Sequence, residues 1–166
     1  MSLNQPLLAE FKQEVATTRK MLSVVPLAMF NWKPHEKSMS LGALANHIAD
    51  MITWTAVTLD KDGIDFATDY VPKTPKTTTE ELLAYFDANV ADAIAVLEAA
   101  DDEKFAGMWT MRNGEQVYFT MPKGVTLRQF VLNHIVHHRA QLGVYLRLLD
   151  VALPSSYGPT ADNPMM

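Results

Sequence analysis

His134 and His138 lie four residues apart in the most strongly helical stretch of the chain, residues 126–150. Side chains at i and i+4 leave one helix face with their Cβ atoms about 5–6 Å apart. Two imidazoles at that spacing can share a metal ion. His47, in another helical stretch, can add a third nitrogen from across a helix interface. Three neutral imidazoles hold a divalent ion and leave one or more positions open, which favours catalysis or ligand binding over a purely structural site. Zinc, nickel, copper and iron all suit imidazole, and spacing does not choose among them.

A helical wheel places Leu127, Phe130, Val131, His134, His138, Gln141, Tyr145 and Leu148 on one stripe, expected to face inward. His137 falls on its flank. His47 sits at the edge of an apolar arc with Leu44, Ile48, Met51 and Thr55, beside Trp54. The alternative for each histidine is a core imidazole bonded to backbone or side-chain oxygens. Two stacked on an inward stripe fit that alternative poorly, because each buries nitrogens that need partners.

The neighbours carry weaker signals. Asp50, one turn beyond His47, can orient a ligand histidine or move a proton, or can be an ordinary polar residue at the helix margin. Gln141 can hydrogen-bond a bound ligand or satisfy an internal polar group. Trp54 and Tyr145 can wall a ligand pocket or belong to the core. Arg139 points away from the stripe, towards a surface or interface ion pair, and His35 is expected to be solvated. His134 is followed by Ile135 rather than Glu, so the zincin motif is absent. The chain also lacks a Glu-x-x-His pair, a nucleophile elbow, a P-loop and a dinucleotide fingerprint.

Four long helices are expected to position these groups. The first covers residues 5–25, with Leu7, Leu8, Phe11, Val15, Thr18, Met21 and Leu22 on one face. Ser40 caps a second over 41–60, closed by Gly63. A Pro- and Thr-rich crossover follows. Thr78 and Glu81 then form a capping box for a third helix ending near Ala100. Residues 105–121 alternate around Asn113-Gly114, which predicts a hairpin with a type I′ turn. Thr126 and Gln129 read as a second capping box before the last helix, and a Pro-rich tail from Leu153 packs on the surface. The expectation is an all-α four-helix bundle with a long crossover after the second helix and a small hairpin-like excursion before the last.

The 166 residues suit one domain, 1–166, with a sizeable core, and 48% hydrophobic content marks it as globular. No apolar run is long enough to span a bilayer, and the first residues lack a signal-peptide pattern, so a soluble cytoplasmic protein is expected. The absence of cysteine excludes disulfides, thiolate ligands and a cysteine nucleophile. A net charge of −5 argues against nucleic-acid binding.

Three stretches together resemble the DinB/YfiT-like family of metalloenzymes. They are Phe30-Asn31-Trp32-Lys33-Pro34 leading through Ser40-Leu41-Gly42 to His47-Ile48-Ala49-Asp50; Asn133-His134-Ile135-Val136-His137-His138-Arg139-Ala140-Gln141-Leu142; and the tail from Leu153-Pro154 through Tyr157-Gly158-Pro159 to Asp162. The resemblance implies a four-helix bundle, a nickel or zinc ion on His47, His134 and His138, and a homodimer. Ala140 stands where relatives usually have glycine, which is expected to add a methyl near the pocket wall without disturbing the ligands and to affect how closely a neighbouring helix or subunit approaches. The resemblance further implies a transferase acting on a small molecule with a low-molecular-weight thiol as cosubstrate, as in relatives that use bacillithiol or mycothiol. A metal-dependent hydrolase with Asp50 as its base, and a non-catalytic metal- or ligand-binding stress protein, are the alternatives.

Overall fold

The computed structural model describes residues 3–164. Helix α1, Asn4–Ser23, buries every apolar position read from its periodicity, and Glu14 with them. A 3-10 turn, Leu27–Met29, leads to α2, Leu41–Met51. Ser40 caps α2 as expected, its hydroxyl accepting from the Ala43 N–H at 3.2 Å.

The second helix does not continue to residue 60. It breaks after Met51 and resumes as α3, Trp54–Asp60. At the break, the Thr53 N–H and hydroxyl both donate to the Asp50 carbonyl, at 3.0 and 2.8 Å. A threonine hydroxyl bonding back to the preceding turn competes with the helical ladder and bends it. The bend re-aims the helix at Trp54, which lines the site described below.

Gly63 opens a short strand rather than ending a helix. Strand β1, Gly63–Asp65, pairs in parallel with β2, Met108–Asn113, which pairs antiparallel with β3, Gln116–Pro122. The architecture is therefore mostly helical with a three-stranded sheet, order β1-β2-β3, rather than all-α. The hairpin is present, but its two-residue loop is Gly114-Glu115. Only Gly114 has positive φ, at 58°. That is the pattern of a type II′ turn, whereas type I′ requires positive φ at both central residues. Opposite the step from Met111 to Arg112, β3 carries one extra residue, Tyr118, a bulge.

Between the sheet partners lies α4, Thr79–Ala99, opened by the Thr78–Glu81 capping box. A short helix α5, Asp102–Ala106, precedes β2. The last helical run starts at Lys123, immediately after β3, as α6, Lys123–Leu127. The Thr126–Gln129 capping box is not formed. Thr126 is already one turn inside, and its hydroxyl donates to the Pro122 carbonyl at 3.2 Å. Residues Arg128–Asn133 are π-helical before α7, His134–Leu148. Such wide turns are uncommon and frequent at functional sites.

Helix α1 packs on α4 and α7, and α2 packs on the same two. Leu22, Leu41, Leu44, Ile48, Phe86, Ile135, Leu142 and Leu146 lie in the resulting core. No described helix is long and apolar enough to cross a membrane.

The buried stripe of the last helix is rotated from the one drawn on the wheel. It runs Val131, Leu132, Ile135, Arg139, Leu142, Leu146. Arg139 is not a surface residue; only 3% of it is exposed. Its guanidinium pairs with the Glu14 carboxylate at 2.7 Å and donates to Thr18 Oγ1 at 3.1 Å and Tyr157 Oη at 2.6 Å. The Tyr157 hydroxyl in turn donates to Glu14, so the tail is docked on α1 and α7. Leu148, expected to face inward, is 58% exposed.

Candidate metal centre

The rotation of that stripe moves His134 and His138 from the middle of the core to its margin. Both are partly buried, as is His47, which projects from α2. One ring nitrogen from each of the three lies within 4.8 Å of the other two. The ring centroids are 4.5 Å apart for His134 and His138, 4.6 Å for His47 and His138, and 5.4 Å for His47 and His134. One divalent ion with metal–nitrogen bonds of about 2.0–2.1 Å can reach all three with minor ring rotation. Among the described residues, no fourth histidine or carboxylate joins the cluster.

Hydrogen bonds orient the two rings of α7. His138 Nδ1 is 2.7 Å from Gln141 Oε1. The amide nitrogen of Gln141 is 3.1 Å from His137 Nε2, so its oxygen is turned to His138, which must carry its proton on Nδ1. The His134 ring donates to the Phe130 carbonyl, one turn back in the π-helical segment. Both α7 rings are therefore held from behind, the arrangement usual for metal-ligating histidine. The remaining nitrogens, both Nε2, face each other at 2.8 Å.

Those two nitrogens are lone-pair acceptors when the rings are neutral, the form that burial favours. Desolvation lowers the pKa of His134 and of His138. His47 falls to about 4, first through desolvation and then through the neighbouring His138 and His134, with Asp50 opposing. Two lone pairs in contact repel, and a cation shared with His47 removes the repulsion. The donor set thus fits a divalent metal.

The centre adjoins a cleft of about 450 Å³. Asn46, His47, Asp50, Trp54 and Tyr85 line it from the helices, and Phe30 from the connection before α2. Residues 69–75 of the crossover close the other side. That crossover is tied to α2. Asn46 donates to the Lys76 carbonyl at 2.9 Å and accepts from its N–H at 2.7 Å. Lys73 Nζ donates to Asp50 Oδ1 and, at 3.2 Å, to Thr53 Oγ1. The Tyr85 hydroxyl donates to the same Asp50 oxygen at 2.7 Å. Partial burial works against the Lys73 ammonium, but its bonds to Asp50 and Tyr85 outweigh this and raise its pKa.

The weaker candidates separate. Trp54 lines the cleft. Asp50 lines it too, although two donors already occupy one of its oxygens. Gln141 touches a histidine rather than the cleft. Tyr145 stands edge-on to Trp32 at 5.6 Å and donates to the Met39 carbonyl at 3.2 Å, bracing the connection before α2. His137 lies off the centre, exposed and bonded to Gln141. His35 is exposed. Sequence reasoning missed Asn46, Lys73 and Tyr85. No local signal marks them, because Asn46 lies on α2, Lys73 in the crossover and Tyr85 on α4, and only the fold brings them together.

Solved structures share this architecture. A DinB-like protein from Bacillus cereus is 20% identical with a TM-score of 0.72, covering 94% of this chain and 98% of its own. A DinB-like protein from Bacillus subtilis is 16% identical with a TM-score of 0.71, covering 97% of this chain and 100% of its own. Among curated proteins, none matches this sequence. The pattern of the DinB family matches residues 1–164, and the chain belongs to that family.

Proposed function

We propose that this protein is a metal-dependent enzyme that transfers a small molecule's reactive group to a low-molecular-weight thiol, with nickel or zinc on His47, His134 and His138. The observation that carries the metal is the pair of Nε2 atoms facing each other at 2.8 Å, each ring held in the ligating tautomer. A catalytic rather than structural role is supported by the histidine-only donor set beside a cleft of about 450 Å³, within the size range of ligand sites. When bound, the ion lowers the pKa of a coordinated thiol, making the nucleophilic thiolate available near neutral pH. The chain itself has no cysteine, so the thiol comes from the cosubstrate.

The residues divide the remaining work. Gln141 and Phe130 fix the two α7 rings. Trp54 and Phe30 present apolar faces to the cleft. Lys73 offers a cation and Asp50 an anion to a polar or zwitterionic cosubstrate, with Tyr85 holding Asp50 in place. The same reading puts the protein in the cytoplasm, where such thiols stay reduced.

The mutual packing of α1, α2, α4 and α7 supports a four-helix bundle as one domain. Ala140, Val144 and Leu148 form an exposed stripe along α7 at four-residue spacing, which supports a homodimer packed through that face. Sedimentation of Val144→Arg against wild type checks this; equal masses refute it.

Elemental analysis of untagged protein, purified without added metal, tests the centre. One nickel or zinc per chain is expected in wild type and loss in His134→Ala. Equal, negligible metal in both overturns the reading. Metal-loaded protein that turns over no pair from a broad panel of thiols and electrophiles overturns the transferase.

A further inference from the structure

A second cavity, of about 220 Å³, shares His47 and Trp54 with the cleft. Its other walls are Met51, Phe66, Met111, Phe130 and His134. Two of the three histidines therefore line it, and apart from the Trp54 indole N–H they are the only polar groups among its lining side chains. The cleft carries Asp50, Lys73 and Asn46; this chamber carries no charged group.

The chamber is built where the helices meet the sheet. Met111 comes from β2, and Phe66 follows β1. Its walls are braced from outside. Phe119 of β3 stacks on Phe130 at 4.9 Å, and Trp109 stands edge-on to Trp54 at 6.3 Å. Trp54 and Phe66 contact one another at 6.2 Å. Aromatic walls held by further aromatics keep their shape, while Met51 and Met111 adapt to what lies between them.

We propose that this chamber is the specificity pocket for the small-molecule substrate, taking a compact apolar group such as a single aromatic ring or a branched alkyl. The polar end of that substrate then points to His47 and His134. Apolar cavities of about 150 Å³ bind benzene, so 220 Å³ suits one ring with a short substituent. A carboxylate in the chamber would lose its hydration and find no cation there, so charged groups belong in the cleft. The assignment deepens the enzyme reading above, but binding of an apolar group does not itself require the ion.

Titration of fluorobenzene into metal-free protein, followed by fluorine NMR, tests the chamber directly. Saturable binding is expected in wild type, with 4-fluorobenzoate much weaker. Met111→Phe narrows the chamber and should weaken fluorobenzene about tenfold or more. Met111→Ala widens it and should shift preference towards the bulkier 4-fluorocumene, which keeps the test alive if the larger side chain disturbs folding. His138→Ala touches neither cavity and should keep fluorobenzene while losing zinc. Fluorobenzene binding without zinc binding in wild type would sink the metal centre and leave the chamber standing. No saturable signal in wild type, or affinities unmoved by both Met111 substitutions, overturns the proposal.

Discussion

His134 Nε2 and His138 Nε2 sit 2.8 Å apart, each on a ring whose other nitrogen is already committed to an oxygen. Neither ring can turn away without breaking that bond. The protein thus holds two acceptors against each other, with a third imidazole close by. This preorganisation is an energetic cost of the metal-free state that a cation relieves.

Metal binding should therefore raise the melting temperature. At a free zinc or nickel concentration of about 100 times the dissociation constant, the gain is roughly 2.7 kcal/mol. Calorimetry with and without a chelator measures it. His138→Ala should melt at the same temperature in both conditions.

Gln141 should matter for the metal more than for the fold. It is exposed, so Gln141→Leu removes the bond to His138 Nδ1 at little structural cost. Loss of such an orienting partner typically weakens metal binding about 10–100-fold. Competition with a chromogenic chelator reads this. An unchanged affinity would show that the tautomer of His138 is fixed by something else.

Acid should destabilise the metal-free protein earlier than carboxylate titration alone would. Burial holds His47 at about 4 in the fold, with His134 and His138 also lowered, against about 6.5 when unfolded. The unfolded chain binds more protons between those values. Stability is then fully present above the unfolded pKa and falls as pH drops from about 6.5 towards 4. Urea midpoints at several pH values check this, and replacing the three histidines with glutamine should flatten the slope.

The buried Glu14–Arg139 pair gives an asymmetric prediction. Arg139→Met leaves the Glu14 carboxylate buried beside Tyr157 without its cation, which costs about 3–5 kcal/mol. Adding Glu14→Leu should recover much of that loss. Urea unfolding of the two single variants and the double variant measures the coupling. Additive effects would mean the pair does not act as a unit.

Two of the three expected helix caps were read correctly because their physics is local, whereas Thr126–Gln129 failed because the helix already starts at Lys123. Ser40 and the Thr78–Glu81 pair cap helices within four residues of themselves, and the periodicity of α1 matches its buried face. The sheet was half legible. An Asn-Gly flanked by alternation marks a hairpin, but the parallel partner β1 joins across 40-odd residues and leaves no local trace. The last helix misled for a specific reason. Its buried stripe has an arginine at the centre, and a wheel reads a charge as solvent-facing. Only Glu14, on another helix, makes that position comfortable in the interior. The histidines were still found, because the i,i+4 relation survives any rotation of the helix. The bend at Thr53, the π-helical segment, and the Lys73–Asp50–Tyr85 group depend on chain segments meeting in space.

The π-helical segment from Arg128 to Asn133 also makes the helix a length-sensitive dial. It holds more residues per turn than the regular helix on either side. Each residue of an ordinary helix advances the azimuth by about 100°. Deleting one residue there would heal the backbone into a smoother, intrinsically better helix. The wide turn takes up about one extra residue, so this deletion would leave His134 and His138 facing His47, whereas a further inserted residue would swing them about 100° away. Here the chain would bear the loss of one residue better than the gain of one.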